Sequence, residues 1–249
     1  MDPLVILFLA ILNFFLSFYS VIVGGGGLVM VPLLISLGVP VPNSVAITRF
    51  YNIGTGGTSL FEFNRGGKVN WRIGLPLASV AVIASLLGAY MVLSINEVIL
   101  KTMIAVLIMT VLAVMILNKK IGIVARQQAT SAKKILGFVL TFFIIIVGTL
   151  VGGGGGIMLS YVLIFLFGQT FLQSMGTRKI VTMTGIIFSA AFFILSGVII
   201  YEIAVPLLIT GALGGWAGAK YAMKKGDKWV RVFFIVIAFI LALNMLVWM

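Results

Sequence analysis

Long apolar runs alternate with short polar breaks along this chain, and the runs come in the same order in its two halves. In the first half an apolar run ends at Val23, the glycines Gly24 to Gly27 interrupt it, and a short apolar segment follows from Leu28 to Leu37. Longer runs come next, near Ser44 to Phe63, Trp71 to Leu93 and Val98 to Leu117. The second half repeats the order with Ile135 to Val151, the glycines Gly152 to Gly156, Ile157 to Phe167, Gln173 to Ser196, Ile200 to Met223 and Trp229 to Trp248. Aligning Gly27 with Gly156 puts Thr48-Arg49 on Thr177-Arg178 without a gap, and one further single-residue slip aligns Gly67 with Gly197, Pro76 with Pro206 and Gly88 with Gly218. The pattern predicts a duplicated chain.

Each long run has the roughly 20 residues that carry a helix across about 30 Å of hydrocarbon. Alternating ten-residue segments are absent, so helices must satisfy the backbone inside the bilayer. Composition agrees: 62% of residues are hydrophobic, 9% are charged and the mean hydropathy is +1.28. The fold class expected is an all-α integral membrane protein, multi-pass, in a bacterial or archaeal cytoplasmic membrane, with the lipid bilayer as its surroundings. The first 23 residues read as mature structure, because Asp2 is acidic where a signal peptide needs a basic segment and no small-residue cleavage site precedes the glycines. Cysteine and histidine are both missing, which removes thiol chemistry and the usual ligands of zinc, copper and haem. No cofactor or metal is expected, and no nucleophile–base constellation suggests an enzyme.

The net charge of +12 would suggest nucleic acid in a soluble protein, but here the basic residues gather in loops. Arg65, Lys68 and Arg72 form one cluster, Lys119, Lys120, Arg126, Lys133 and Lys134 a second, and Lys220, Lys224, Lys225, Lys228 and Arg231 a third. Positive loops stay in the cytoplasm, so topology accounts for the charge without a nucleic-acid partner. The turn Arg65 to Arg72 is basic, whereas its counterpart Gly197 to Glu202 carries no basic residue, which predicts that the two units face opposite ways. The expected organisation is an N-terminal repeat over 1–117, a basic cytoplasmic linker over 118–134 and an inverted repeat over 135–249. Each repeat would hold a glycine-broken re-entrant hairpin and three transmembrane helices. Leu28 to Leu37 spans only about 15 Å as a helix, half a bilayer.

Consecutive glycines break a helix, and broken backbone inside a membrane persists only where protein buries it or a wet cavity adjoins it. The short helices that follow present unpaired N–H groups and the positive ends of their dipoles, which suit an anion. Each glycine run is followed 22 residues later by an arginine (27 to 49, 156 to 178), inside an apolar helix where a charge is costly. A guanidinium there offers a planar fork of donors for an oxyanion, with snorkelling to the near interface as the other reading. Thr48, Asn52, Thr55 and Ser59 recur at helical spacing, and Thr177 and Thr184 repeat part of that face. The candidate substrate-binding residues are therefore Gly24, Gly25, Gly26, Gly27, Thr48, Arg49, Asn52, Thr55, Gly153, Gly154, Gly155, Gly156, Thr177, Arg178 and Thr184. Lys179 has no counterpart, since Phe50 stands at the equivalent position, and Glu62 is the carboxylate nearest to a span.

A GGGG run followed by an apolar half-helix with proline, Leu28-Val29-Met30-Val31-Pro32-Leu33-Leu34, repeated as Gly153 to Leu163, resembles the TauE/SafE family of sulfite and sulfonate exporters. Gly38, Ala46, Thr48, Pro76 and Gly88 extend the resemblance over nearly the whole chain. It implies transport of small sulfur-containing anions, with pore-facing positions at Gly24 to Gly27, Thr48, Gly153 to Gly156 and Thr177. Many members place a small hydroxyl residue after the threonine, whereas this chain has Arg49 and Arg178. The expected function is export of sulfite or organosulfonates through a central site between inverted repeats. An anion channel with a static arginine selectivity site, or a transporter of a non-sulfur oxyanion or carboxylate, is the alternative. The sequence fits a monomer or a homodimer equally.

Overall fold

A computed structural model describes residues 2–22, 24–96, 98–100, 102, 130–153 and 155–247, with side chains as far as Gly226. Among the described residues there are eight helices and no strand. They are α1 (Pro3–Ile22), α2 (Gly27–Ser36), α3 (Val41–Arg65), α4 (Trp71–Ser94), α5 (Ser131–Leu150), α6 (Gly155–Phe167), α7 (Phe171–Leu195) and α8 (Tyr201–Val247). Gly226, at φ 80° and ψ 175°, divides α8 into two helices joined end to end. The expected helix Val98 to Leu117 and linker Asn118 to Lys134 lie for the most part outside the described residues, as do Gly154 and Glu97.

Local chemistry sets the boundaries. Gly24 and Gly25 take φ of 100° and 86°, a left-handed backbone that only glycine adopts cheaply, and α1 ends just before them. Gly152 does the same after α5, with φ 72°. Asn70 caps α4 by accepting from the Ile73 N–H, and Thr170 with Gln173 closes a reciprocal capping box at the start of α7.

The helices on either side of each glycine run differ in length. α1 and α5 each have 20 residues, about 30 Å at the helical rise, whereas α2 has 10. Among the described residues, five helices are long and apolar enough to cross a membrane: Pro3–Ile22, Trp71–Ser94, Ser131–Leu150, Phe171–Leu195 and Tyr201–Gly226. α3 has the length, with 25 residues, but Arg49, Asn52, Thr55, Thr58, Ser59 and Glu62 lower its hydropathy. Its polar side is buried against other helices.

Packing runs mainly between the two halves of the chain. α3 and α1 both lie along α8, while α4 lies along α7 and α5. Small residues allow this: a Cβ on Gly54 would sit 2.5 Å from the Leu208 carbonyl oxygen, and one on Gly215 would sit 2.6 Å from that of Thr55. Asn13 of α1 adds a buried polar link, donating from Nδ2 to the Leu207 carbonyl at 2.6 Å. The outer faces are apolar, as with Leu4, Leu7, Phe8, Ile11 and Phe15 along α1, which suits contact with lipid chains.

Candidate functional site

The two glycine runs cross each other backbone to backbone. A Cβ on Gly27 would lie 2.5 Å from the carbonyl oxygen of Gly152 and 2.8 Å from the Gly153 Cα, so no larger residue fits at the crossing. This explains side-by-side glycines better than a helix-packing motif, whose small residues stand four apart. α2 starts at Gly27 and α6 at Gly155, so both short helices begin at the crossing. No side chain caps the N-terminus of α2.

Arg49 of α3 and Arg178 of α7 reach the same region from opposite halves, 7% and 2% exposed. Neither side chain runs out to the surface. Arg178 donates from Nη1 to the Gly156 carbonyl at 2.8 Å and to Ser160 Oγ at 3.0 Å, and from Nη2 to the carbonyls of Val21 at 2.7 Å and Ser20 at 3.3 Å. Arg49 donates from Nη2 to the Gly148 carbonyl, while its Nε finds no acceptor. Each arginine thus serves the last turns of the helix that precedes the other half's glycine run. The carbonyls at such an end carry the negative pole of the helix dipole and lack intrahelical partners, so a guanidinium suits them on both counts.

Between these groups lies a cavity of about 80 Å³. Its wall includes Gly24 to Gly27, Gly152, Gly153, Gly155 and Gly156 together with Arg49, Asn52, Arg178, Lys179 and Thr182. One water needs about 10–15 Å³ of such space, so several water-sized groups, or one small oxyanion, can be held. Among the described lining residues three side chains are cationic and none is a carboxylate. Lys179 is 7% exposed and makes no hydrogen bond or ion pair with a described residue. The electrostatics favour an anion: charges in a low-dielectric interior act strongly on one another, and the described residues of this wall offer no negative group.

Of the expected site residues, the structure brings Gly24, Gly25, Gly26, Gly27, Arg49, Asn52, Gly153, Gly155, Gly156 and Arg178 to the cavity. Gly154 is outside the described residues. The threonines stand apart from the lining because their hydroxyls are engaged in packing: Thr48 donates to the Ser44 carbonyl at 2.8 Å, Thr55 to Ser17 Oγ at 3.0 Å and Thr184 to the Ile180 carbonyl at 3.0 Å. Thr177 Oγ1 accepts from the Asn70 backbone N–H at 3.0 Å, tying α7 to the α3–α4 turn. Glu62 also lies away from the cavity, accepting from Trp216 Nε1 at 3.0 Å. Ser20, Gly148, Thr182 and Gly185 join the lining without having been expected there. Thr182 follows Arg178 by one helical turn, the spacing that could have flagged it.

A family model described as "Sulfite exporter TauE/SafE" matches residues 9–245. A "probable membrane transporter protein" of Haemophilus influenzae is 27% identical over 244 residues, covering 98% of this chain and 94% of its own. A similarly named protein of a Sinorhizobium species is 23% identical, covering 96% and 91%, and one of Escherichia coli K12 is 22% identical, covering 98% and 91%. No solved structure gives a significant match.

Proposed function

We propose that this chain, which belongs to the sulfite exporter TauE/SafE family, carries small sulfur-containing anions, sulfite or organosulfonates, outward across the cytoplasmic membrane. That it is a multi-pass membrane transporter follows from the family, from relatives named as membrane transporters and from the five crossing-length apolar helices among the described residues. The observation that carries the anion reading is the central cavity, whose described wall holds three cations and no carboxylate. Sulfur is favoured over other oxyanions by the family description alone.

The proposed mechanism places the substrate where the two glycine runs cross, between two inverted repeats. Opposed helix openings at one midplane site suit a carrier whose halves rock about a fixed substrate. Basic loops on one side, with Arg65, Lys68 and Arg72 at the α3–α4 turn, support the inverted arrangement by the positive-inside rule. An inside-negative potential would drive an anion outward without a coupling ion. The four hydrogen bonds that hold Arg178 still favour a second reading, a channel with a fixed selectivity site.

Proteoliposomes loaded with labelled sulfite separate the readings. Saturating efflux that external sulfite accelerates supports the carrier. Single-channel current linear in voltage would replace it with the channel, and failure to move sulfite, taurine or sulfoacetate would remove the sulfur assignment.

A further inference from the structure

We infer that Arg49 and Lys179 are the two cations that touch the anion, while Arg178 is held by the protein itself, and that this unequal pair gives the cavity a preference for doubly charged oxyanions. The inference rests on the anion-transport reading above and deepens it to a charge class. Its basis is how differently the three cations are satisfied. Both terminal nitrogens of Arg178 already donate, to Gly156, Ser160, Ser20 and Val21. Arg49 has one bond, to the Gly148 carbonyl, and a buried Nε–H without an acceptor. Lys179 has no bond to any described residue, although it is buried and lines the same cavity.

A buried cation that the protein does not pair is costly, and whatever enters the cavity supplies the acceptors and the compensating charge. The described wall holds no negative group to balance them: apart from the three cations its side chains are neutral, and the Thr182 hydroxyl is engaged with the Arg178 carbonyl at 2.9 Å. A dianion balances both free cations, whereas a monoanion leaves one uncompensated. Geometry assigns distinct tasks: the Arg49 guanidinium presents directed donors from α3, and the Lys179 ammonium a compact charge from α7, so the ligand bridges the two halves. Phe50 occupies the position equivalent to Lys179, so only the second half contributes this extra charge.

Sulfate and methanesulfonate test this, because both place tetrahedral sulfur-bound oxygens in the site and differ by one charge. Each is titrated at constant ionic strength into the full chain in neutral-lipid nanodiscs, for the wild type, Lys179→Gln and Lys179→Arg, with thermal melting to follow folding. Lys179→Gln is expected to weaken sulfate by about tenfold or more, the size of one charge-assisted hydrogen bond, and methanesulfonate by less than about threefold. Lys179→Arg is expected to restore the preference for sulfate. Equal weakening of both anions, or no change in either, overturns the assignment of Lys179 while leaving the anion site intact. A wild type that binds neither anion overturns the anion reading and this inference with it.

Discussion

Arg178 donates from Nη2 to the carbonyl oxygen of Val21 at 2.7 Å, joining α7 to the final turn of α1 across 157 residues of sequence. Arg49 makes the corresponding bond to Gly148 near the end of α5. Each half of the chain therefore secures the broken helix of the other. A helix that ends inside the protein leaves carbonyls without intrahelical partners, and these arginines answer that need at both breaks. Glycine run and arginine recur together because the first creates the ends and the second stabilises them.

Replacing Arg178 should damage the fold more than a lost surface charge would. Arg178→Ala strands the Val21 carbonyl, at a cost of about 1–3 kcal/mol when buried without a donor, and removes the link from α7 to the start of α6 at Gly156. Arg178→Lys should rescue only part, since an ammonium cannot reproduce the fork that spans α1 and α6. Melting in detergent checks both variants, and an unchanged midpoint for Arg178→Ala would count against the latch.

Two glycine substitutions separate close contact from backbone strain. Gly27→Ala forces a methyl onto the Gly152 carbonyl, backbone against backbone, and should abolish folded protein or transport. Gly38 has φ +85° but open space around it, so Gly38→Ala should cost only about 1 kcal/mol. Expression level and melting distinguish them, and equal tolerance at both sites would mean that the crossing can relax.

Thr48→Val and Thr177→Val should leave anion affinity within about twofold, given the threshold of 1.4 kcal/mol for a tenfold change. Thr177→Val should nevertheless lower the melting midpoint, because the Asn70 N–H loses its acceptor. Titration and melting on the same samples check the pair. A large affinity loss in either variant would return the threonines to the binding surface.

The sequence pattern predicted the described helices well because apolar runs and glycines are local signals: α3 and α7 begin and end within three residues of the expected runs. Arg49 and Arg178 were also legible, as charges too costly to sit in a span without a partner. What those partners were was not legible. That Arg178 bonds to Val21 and Ser20 depends on the two halves interlocking, a long-range arrangement that periodicity within one helix does not encode. The partners of the threonines were not legible for the same reason. Their spacing on a helix marks a polar face, but Thr55 turns that face to Ser17 of α1 and Thr177 turns it to the α3–α4 turn. Lys179 was visible, yet only the cavity shows that it lines the same space as Arg49.

Outward movement driven by potential predicts a voltage-dependent rate. An inside-negative potential of 100 mV is worth about 2.3 kcal/mol per charge moved fully across. Sulfite efflux from proteoliposomes clamped with a potassium gradient should accelerate as the interior becomes more negative. Flux that ignores the potential would mean that compensating charge moves with the anion.

The central claim is that an anion sits against Arg49 in the cavity where the glycine runs cross. Calorimetric titration of sulfite into the nanodisc-embedded wild type and Arg49→Gln, with matched melting curves, addresses it directly. The account predicts saturable binding in the wild type and an affinity at least about tenfold weaker in the variant, the loss of one charged donor to the ligand. Equal affinity in a folded Arg49→Gln protein would contradict it.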